Sequence, residues 1–181
     1  MAQSIQNGGI IHWFGSGHSS IPTREVYIRA GTFTNSRPVS LEHVLDRFER
    51  IEGIGQALMR GFDGKPNEVI FIFSNSGVNP LPMEVAQISK DKGLFTVGVI
   101  SFNHSLKTEP KLKNNLRLMD IVDLAIDTHT PYGDACLEAP GLQAKFCPLS
   151  TIANVTIVHA AIAETVEILL NKDFIPPIRV S

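Results

Sequence analysis

Four short apolar runs, each ending in a polar loop rich in glycine or serine, restrict this chain more than any other feature. They are Ile10 to Phe14, Val69 to Phe73, Phe95 to Ile100 and Ile121 to Ile126. Each is too short for a core helix and lacks the alternation of a half-exposed strand. Continuous β-branched and aromatic runs of this kind predict strands buried on both faces, as in a parallel sheet covered by helices. The first is followed by Gly15-Ser16-Gly17-His18-Ser19-Ser20, the second by Ser74-Asn75-Ser76-Gly77-Val78-Asn79. The third leads into Ser101-Phe102-Asn103-His104-Ser105 and the fourth into Asp127-Thr128-His129-Thr130.

Helical patterns fall between the runs. Pro80-Leu81-Pro82 opens a helix through Lys92, with proline in the first turn and Gly93 at the C-terminal position. Leu41 to Met59 has helical spacing, interrupted by Gly53 and Gly55, and His43 falls on its surface side. Thr23 to Ala30 predicts a helix beside the first loop. Ile152 to Asn171 predicts a long helix capped by Ser150 or Thr151, with Ile152, Val155, Val158, Ile162, Val166 and Leu169 as its apolar stripe. Met1 to Asn7 reads as the last turns of a helix stopped at Gly8-Gly9, and Ile178 to Val180 as a short strand. Strands alternating with helices give βαβ units and a three-layer α/β sandwich. The 181 residues suit one domain, here expected to lack most of an N-terminal helix.

Both serine-rich loops sit at the carboxyl ends of strands, where open parallel sheets bind ligands. In the second loop, alternating hydroxyls, a glycine and a helix N-terminus compose an anion cradle. A plain capped strand-to-helix loop is the alternative. Each hydrogen bond to a phosphate oxygen is charge-assisted and worth about 1.5–3 kcal/mol. The first loop begins as the dinucleotide fingerprint does, but Ser20 stands at its third glycine, and neither loop has the Gly-Lys-Ser/Thr of a nucleoside triphosphate loop. No cofactor is expected. Net charge is -2, without a basic run for nucleic acid or a membrane surface. The two cysteines, Cys136 and Cys147, have no metal-ligand spacing, and with no secretory context they read as reduced thiols in a cytoplasmic protein.

These motifs together resemble the SIS (sugar isomerase, phosphosugar-binding) domains. Phe14 to Gly31, Ser74 to Ala86, Tyr132-Gly133-Asp134-Ala135 and Pro148-Leu149-Ser150-Thr151 are similar to a bacterial subgroup related to phosphoheptose isomerases. The resemblance implies a doubly wound, five-stranded parallel sheet of flavodoxin-like type. It implies a homodimer or homotetramer with sites near subunit boundaries, and a small-molecule sugar phosphate as partner. Ser19, Ser74 and Ser76 would hold the phosphate with backbone from Gly77, and Asn79 stands where such proteins commonly carry Ser or Thr.

Ser16, Asn75, Asn79 and Ser101 complete the expected binding set. Aldose–ketose isomerisation needs a base and an acid. Glu25 is the candidate base, about one turn nearer the loop than its counterpart in phosphoheptose isomerases. His18 is the candidate for ring opening. His104, His159, Glu164 and Glu167 rank behind them. Asp127, His129 and Asp134 lack a distinctive metal spacing; a turn held by Asx hydrogen bonds accounts for them, and no metal is expected. The expected function is isomerisation, or related proton transfer, on a sugar phosphate. The alternative is a non-catalytic phosphosugar-sensing module of a regulatory protein.

Overall fold

A computed structural model of the chain describes residues 1–39, 48–112 and 114–181. His43 and the first part of the helix expected from Leu41 fall outside them. Five strands form one parallel sheet: β1 (Ile11–Gly15), β2 (Ser36–Pro38), β3 (Val69–Phe73), β4 (Phe95–Ile100) and β5 (Leu124–Asp127), in the order β2-β1-β3-β4-β5. This is the doubly wound α/β arrangement, with chain order reversing between β1 and β3.

Every residue of β1 and β3 is buried, as their unbroken apolarity requires. Alternate side chains feed two cores. Trp13, Phe71, Phe73, Val97 and Val99 share one with Val158, Ile162 and Leu169. Phe14, Ile70, Ile72 and Ile100 share the other with Leu81, Val85 and Leu118. The first core is covered by α1 (Ala2–Gln6), α2 (Ile21–Glu25) and α7 (Ser150–Leu170), the second by α3 (Ile54–Leu58), α4 (Pro80–Asp91) and α6 (Leu118–Ile121). A short helix α5 (Phe102–Leu106) follows β4, and an antiparallel hairpin, β6 (Ala135–Leu137) and β7 (Phe146–Pro148), precedes α7.

Several boundaries differ from expectation. The fourth run splits: Ile121 ends α6, and the strand begins at Leu124. The helix expected over Thr23 to Ala30 is Ile21–Glu25, with Pro22 in its first turn. The helix expected through Met59 is confined, among the described residues, to Ile54–Leu58, because Gly53 enters it with φ 89°. Neither Ser150 nor Thr151 caps α7 through its own side chain; its N-cap residue is Leu149. The C-terminal strand is reduced to a single bridge between Phe33 and Ile178. By length and composition α7 could cross a membrane; in this fold Asn154, Val158, Ile162, Thr165 and Leu169 turn inward, buried.

At the amino edge of the sheet a polar pair is buried. His12, at 1 % exposure, lies with Nε2 2.8 Å from Glu68 Oε2. Glu68 also accepts the backbone N–H groups of Ile10 at 3.1 Å and Lys65 at 3.0 Å. Burial pushes the His12 imidazole below its ordinary value despite the carboxylate beside it. Burial pushes Glu68 up, but hydrogen bonds from His12, Lys65 and Ile10 outweigh it and hold the carboxyl below its usual range. The resting pair is therefore a neutral imidazole donating to a carboxylate.

Both folded pKa values are depressed, so both groups contribute stability above their unfolded values and lose it as pH falls. The melting temperature should drop as pH descends below about 6.5, through His12, and again below about 4.5, through Glu68. In thermal melts across pH, His12→Gln should make the first descent shallower, the remainder coming from the similarly depressed His104, and should also reduce the second, since His12 is one of the donors holding Glu68 down. Glu68→Ala orphans three donors and should cost about 3 kcal/mol in urea unfolding at neutral pH.

Candidate active site

The carboxyl ends of β1 and β3 open into a cleft of about 350 Å³ at the point where chain order reverses. The β1 loop folds sharply back as a 3₁₀ turn over Gly17–Ser20, and Gly17 takes φ 58°. A Cβ on Gly15 would stand 2.0 Å from the Ser19 carbonyl oxygen, so only glycine lets the turn lie on the strand end. Ser16, His18 and Ser19 face the cleft from this turn. Ser74, Asn75, Ser76 and Asn79 face it from the β3 loop. Seven of the ten residues singled out from sequence thus meet in one place.

The other three do not line it. Gly77 is buried behind the loop at φ 60°, where a Cβ would crowd Ile100 at 3.1 Å; its N–H donates to Ser74 Oγ at 3.2 Å. Ser101 is fully buried: its hydroxyl donates to the Thr130 carbonyl at 2.7 Å and accepts the His104 N–H at 3.1 Å, capping α5. Glu25 lies outside the cleft, at the end of α2, bonded to Arg29 at 2.7 Å and His159 at 3.2 Å. The shorter α2 ends before it could carry a base further along the loop.

The expected free N–H groups of α4 also need correction. Pro80 and Pro82 have no N–H, and the Leu81 N–H donates to the Glu49 carbonyl at 3.2 Å. The helix end still offers its dipole, but the donors facing the cleft are loop hydroxyls and side chains.

Two residues missed in the sequence change the chemistry. Glu49 lies between the loops: Oε2 accepts the Ser16 hydroxyl and Oε1 the Asn79 amide, each at 2.9 Å. Its carboxylate ties together segments 33 and 30 residues away, a relation no local motif carries. Arg50 follows it on the cleft wall as an exposed cation. Nothing in the local sequence set either residue apart from the other charged residues around it.

His104 forms another wall. Its Nδ1 accepts the Gly133 N–H at 3.2 Å and faces the Asn75 amide at 3.5 Å, while Thr130 fixes Asn75 by donating to Oδ1 at 3.0 Å. With Nδ1 an acceptor, the neutral ring carries its proton on Nε2. Burial pushes the imidazole below its ordinary value, against the pull of Asp134, so the ring stays neutral near pH 7. Asp134 itself, at φ 69°, caps α7 from across the chain. Its Oδ1 accepts the N–H groups of Leu149 at 3.1 Å and Ser150 at 2.7 Å, and its Oδ2 the Ser150 hydroxyl at 2.7 Å. Asp127 and His129 form the expected Asx turn, Asp127 Oδ1 accepting the His129 N–H at 2.9 Å. Among the described residues no group of three or more His, Cys, Asp or Glu is arranged to hold a metal.

The sequence profile of the SIS domain matches residues 1–101. The chain belongs to the SIS domain family. The UPF0309 protein of Geobacillus kaustophilus is 35% identical, the match covering 100% of this chain and 75% of that protein. A UPF0309 protein of Listeria monocytogenes is 36% identical over 98% of this chain and 76% of its own length. A phosphoheptose isomerase from Francisella tularensis has the same fold, with a TM-score of 0.60 at 10% identity over 91% of this chain and 80% of that one. The Vibrio vulnificus NanR protein complexed with ManNAc-6P superimposes with a TM-score of 0.55 at 16% identity, over 95% of this chain and 54% of that one.

The Asp134 contacts make a stability prediction for this SIS domain. Asp134→Ala removes the α7 cap and should cost about 1–2 kcal/mol in urea unfolding. Asp134→Asn keeps one acceptor oxygen and should recover part of the loss.

Proposed function

We propose that this SIS domain binds a phosphorylated sugar in the cleft and isomerises it between aldose and ketose forms. The observation that carries the reading is the pairing of two hydroxyl-lined loops across the β1/β3 crevice by a single carboxylate, Glu49. The phosphate sits on the hydroxyls of Ser19, Ser74 and Ser76 at the positive end of α4, with Arg50 as counter-charge. Its sugar extends toward Glu49 and His104. Isomerisation moves a proton between adjacent carbons, and Glu49 is the base placed to take and return it. The other carboxylate on the cleft, Asp134, has its oxygens committed to α7. A neutral His104 donates through Nε2 to the substrate oxygen on which negative charge develops. His18, exposed on the first loop, assists ring opening. The fold-related phosphoheptose isomerase and the NanR complex with ManNAc-6P support a phosphorylated sugar as the ligand class.

The same reading takes the protein as cytoplasmic and oligomeric. Ile152, Ile168 and Leu170 of α7 are exposed, and a second copy covering them accounts for so apolar a helix better than a membrane does.

Phosphosugar sensing without turnover is the second reading. One feature favours it: Glu49 is bonded through both oxygens, as a strut would be. A thermal-shift screen with sugar phosphates, the corresponding free sugars and nucleotides tests the binding. Sugar phosphates should raise the melting temperature and free sugars should not; a response to nucleotides alone would sink the proposal. Ser76→Ala should weaken binding of the best sugar phosphate by about 1–3 kcal/mol. Glu49→Gln separates the two readings. For an enzyme, turnover followed by proton exchange with solvent should fall about a hundred- to ten-thousand-fold with affinity nearly kept. For a sensor, no turnover is seen in either protein.

A further inference from the structure

The hairpin before α7 plays no part in the chemistry above. Its register pairs Ala135 with Pro148 and Leu137 with Phe146, which leaves Cys136 and Cys147 as the residues between the two pairs. Directly opposed residues of an antiparallel pair have Cα atoms about 4.5–5.5 Å apart, inside the range of about 4.4–6.8 Å that a disulfide spans. The Cys136 thiol already reaches its partner's backbone, with Sγ 3.1 Å from the Cys147 carbonyl oxygen. Both cysteines are free and exposed. Cys147 departs from regular strand geometry at φ 61°.

The rest of the hairpin stands off the core. Residues 140–148 are all exposed, including Leu142 at 62 % and Phe146 at 41 %. Its anchor is at the base, where Asp134 grips Leu149 and Ser150. Asp134 and Ser150 both line the cleft, so the cysteine pair sits two residues from one cleft residue and three from the other.

We propose that Cys136 and Cys147 form a redox-responsive dithiol site that closes into an intramolecular disulfide, stapling the hairpin just above the cleft wall. Its co-reactant is a low-molecular-weight disulfide. One cysteine thiolate attacks a sulfur of that reagent, forming a mixed disulfide and releasing one reagent thiolate. The second cysteine thiolate then attacks the protein sulfur of the mixed disulfide and displaces the other reagent thiolate. Two protein thiols are oxidised by two electrons, one external disulfide is reduced, and the two protons pass to the released thiols. The ring so closed spans residues 136–147 and restrains a hairpin whose residues 140–148 are all exposed.

The experiment uses the full chain in glutathione buffers from reducing to oxidising, with free thiols blocked before intact-mass and peptide analysis without reductant. The expected product is a monomer lighter by two hydrogen atoms, with the peptides of Cys136 and Cys147 joined. Cys136→Ser and Cys147→Ser should each yield a glutathione adduct on the remaining thiol instead. Wild-type protein that accumulates adducts on both cysteines, or disulfide-linked dimers, overturns the proposal. Hydrogen exchange checks the stapling: amides of the hairpin should slow on the order of tenfold on oxidation of the wild type and not of the double variant. Unchanged exchange in a fully oxidised wild type overturns the staple.

Discussion

A parallel sheet buried on both faces leaves only one place for unpaired polar chemistry, and the rest of this structure follows from that. β1, β3 and β4 pair along their lengths, and their side chains feed the cores on both faces. Polar function is therefore pushed to the carboxyl edge. There the chain leaves β1 in one direction and β3 in the other, which opens a crevice between the two strand ends. Gly15 makes the gap usable, since its missing Cβ lets Ser19 fold back onto the strand end. The floor of the cleft is in this sense a consequence of the strands' apolarity.

Charge within the cleft is sorted by what each helix end already holds. Asp134 fills the N-terminus of α7 with a carboxylate, so a second anion there would meet repulsion. The N-terminus of α4 carries no side-chain cap and is spanned by serine hydroxyls. Under the proposed reading, this directs a phosphate to α4 and away from α7, with the exposed Arg50 as its counter-charge. Glu49 sits against the same end, and its negative charge is tolerated because it accepts two hydrogen bonds from neutral groups. A ligand hydroxyl can take the place of the Ser16 or Asn79 donor without moving the carboxylate. Under the proposed reading, that interchange lets one residue serve as a strut in the empty cleft and as a base in the filled one.

Legibility of the sequence varied with how local the cause was. β3 and β4 could be read to the residue, since a continuous apolar run bounded by polar loops has one satisfactory fold. The edge strands could not. Ser36–Pro38 contains no apolar run at all and pairs only with β1, while at Leu124, half-exposed on the other edge, apolarity no longer separates strand from the preceding helix. The serine loops were legible because the hydroxyls that line the cleft lie close together in the sequence. Glu49 and Arg50 were not, because their roles arise only when a segment from beyond β2 is laid across two distant loops. Glu25, singled out by its spacing from the loop, lies outside the cleft: Pro22 starts α2 early and the helix ends at Glu25 itself.

The opposite edge of the sheet bears on the cleft as well. β1 and β3 are paired from Ile11 with Val69 to Gly15 with Phe73, and a slip of one residue would turn every core side chain to the wrong face. Apolar packing alone resists that slip only weakly between two strands that are apolar on both faces, since either face remains hydrophobic after it. The buried His12–Glu68 pair is not so forgiving. Glu68 receives an imidazole from within β1 and the N–H of Ile10 at its start, and any other register would strand a buried carboxylate. Fixing the amino ends in this way fixes, five residues later, the offset of Ser16 against Ser74 across the crevice. A buried polar interaction at one end of the sheet thereby sets the offset of the two serine-rich loops at the other.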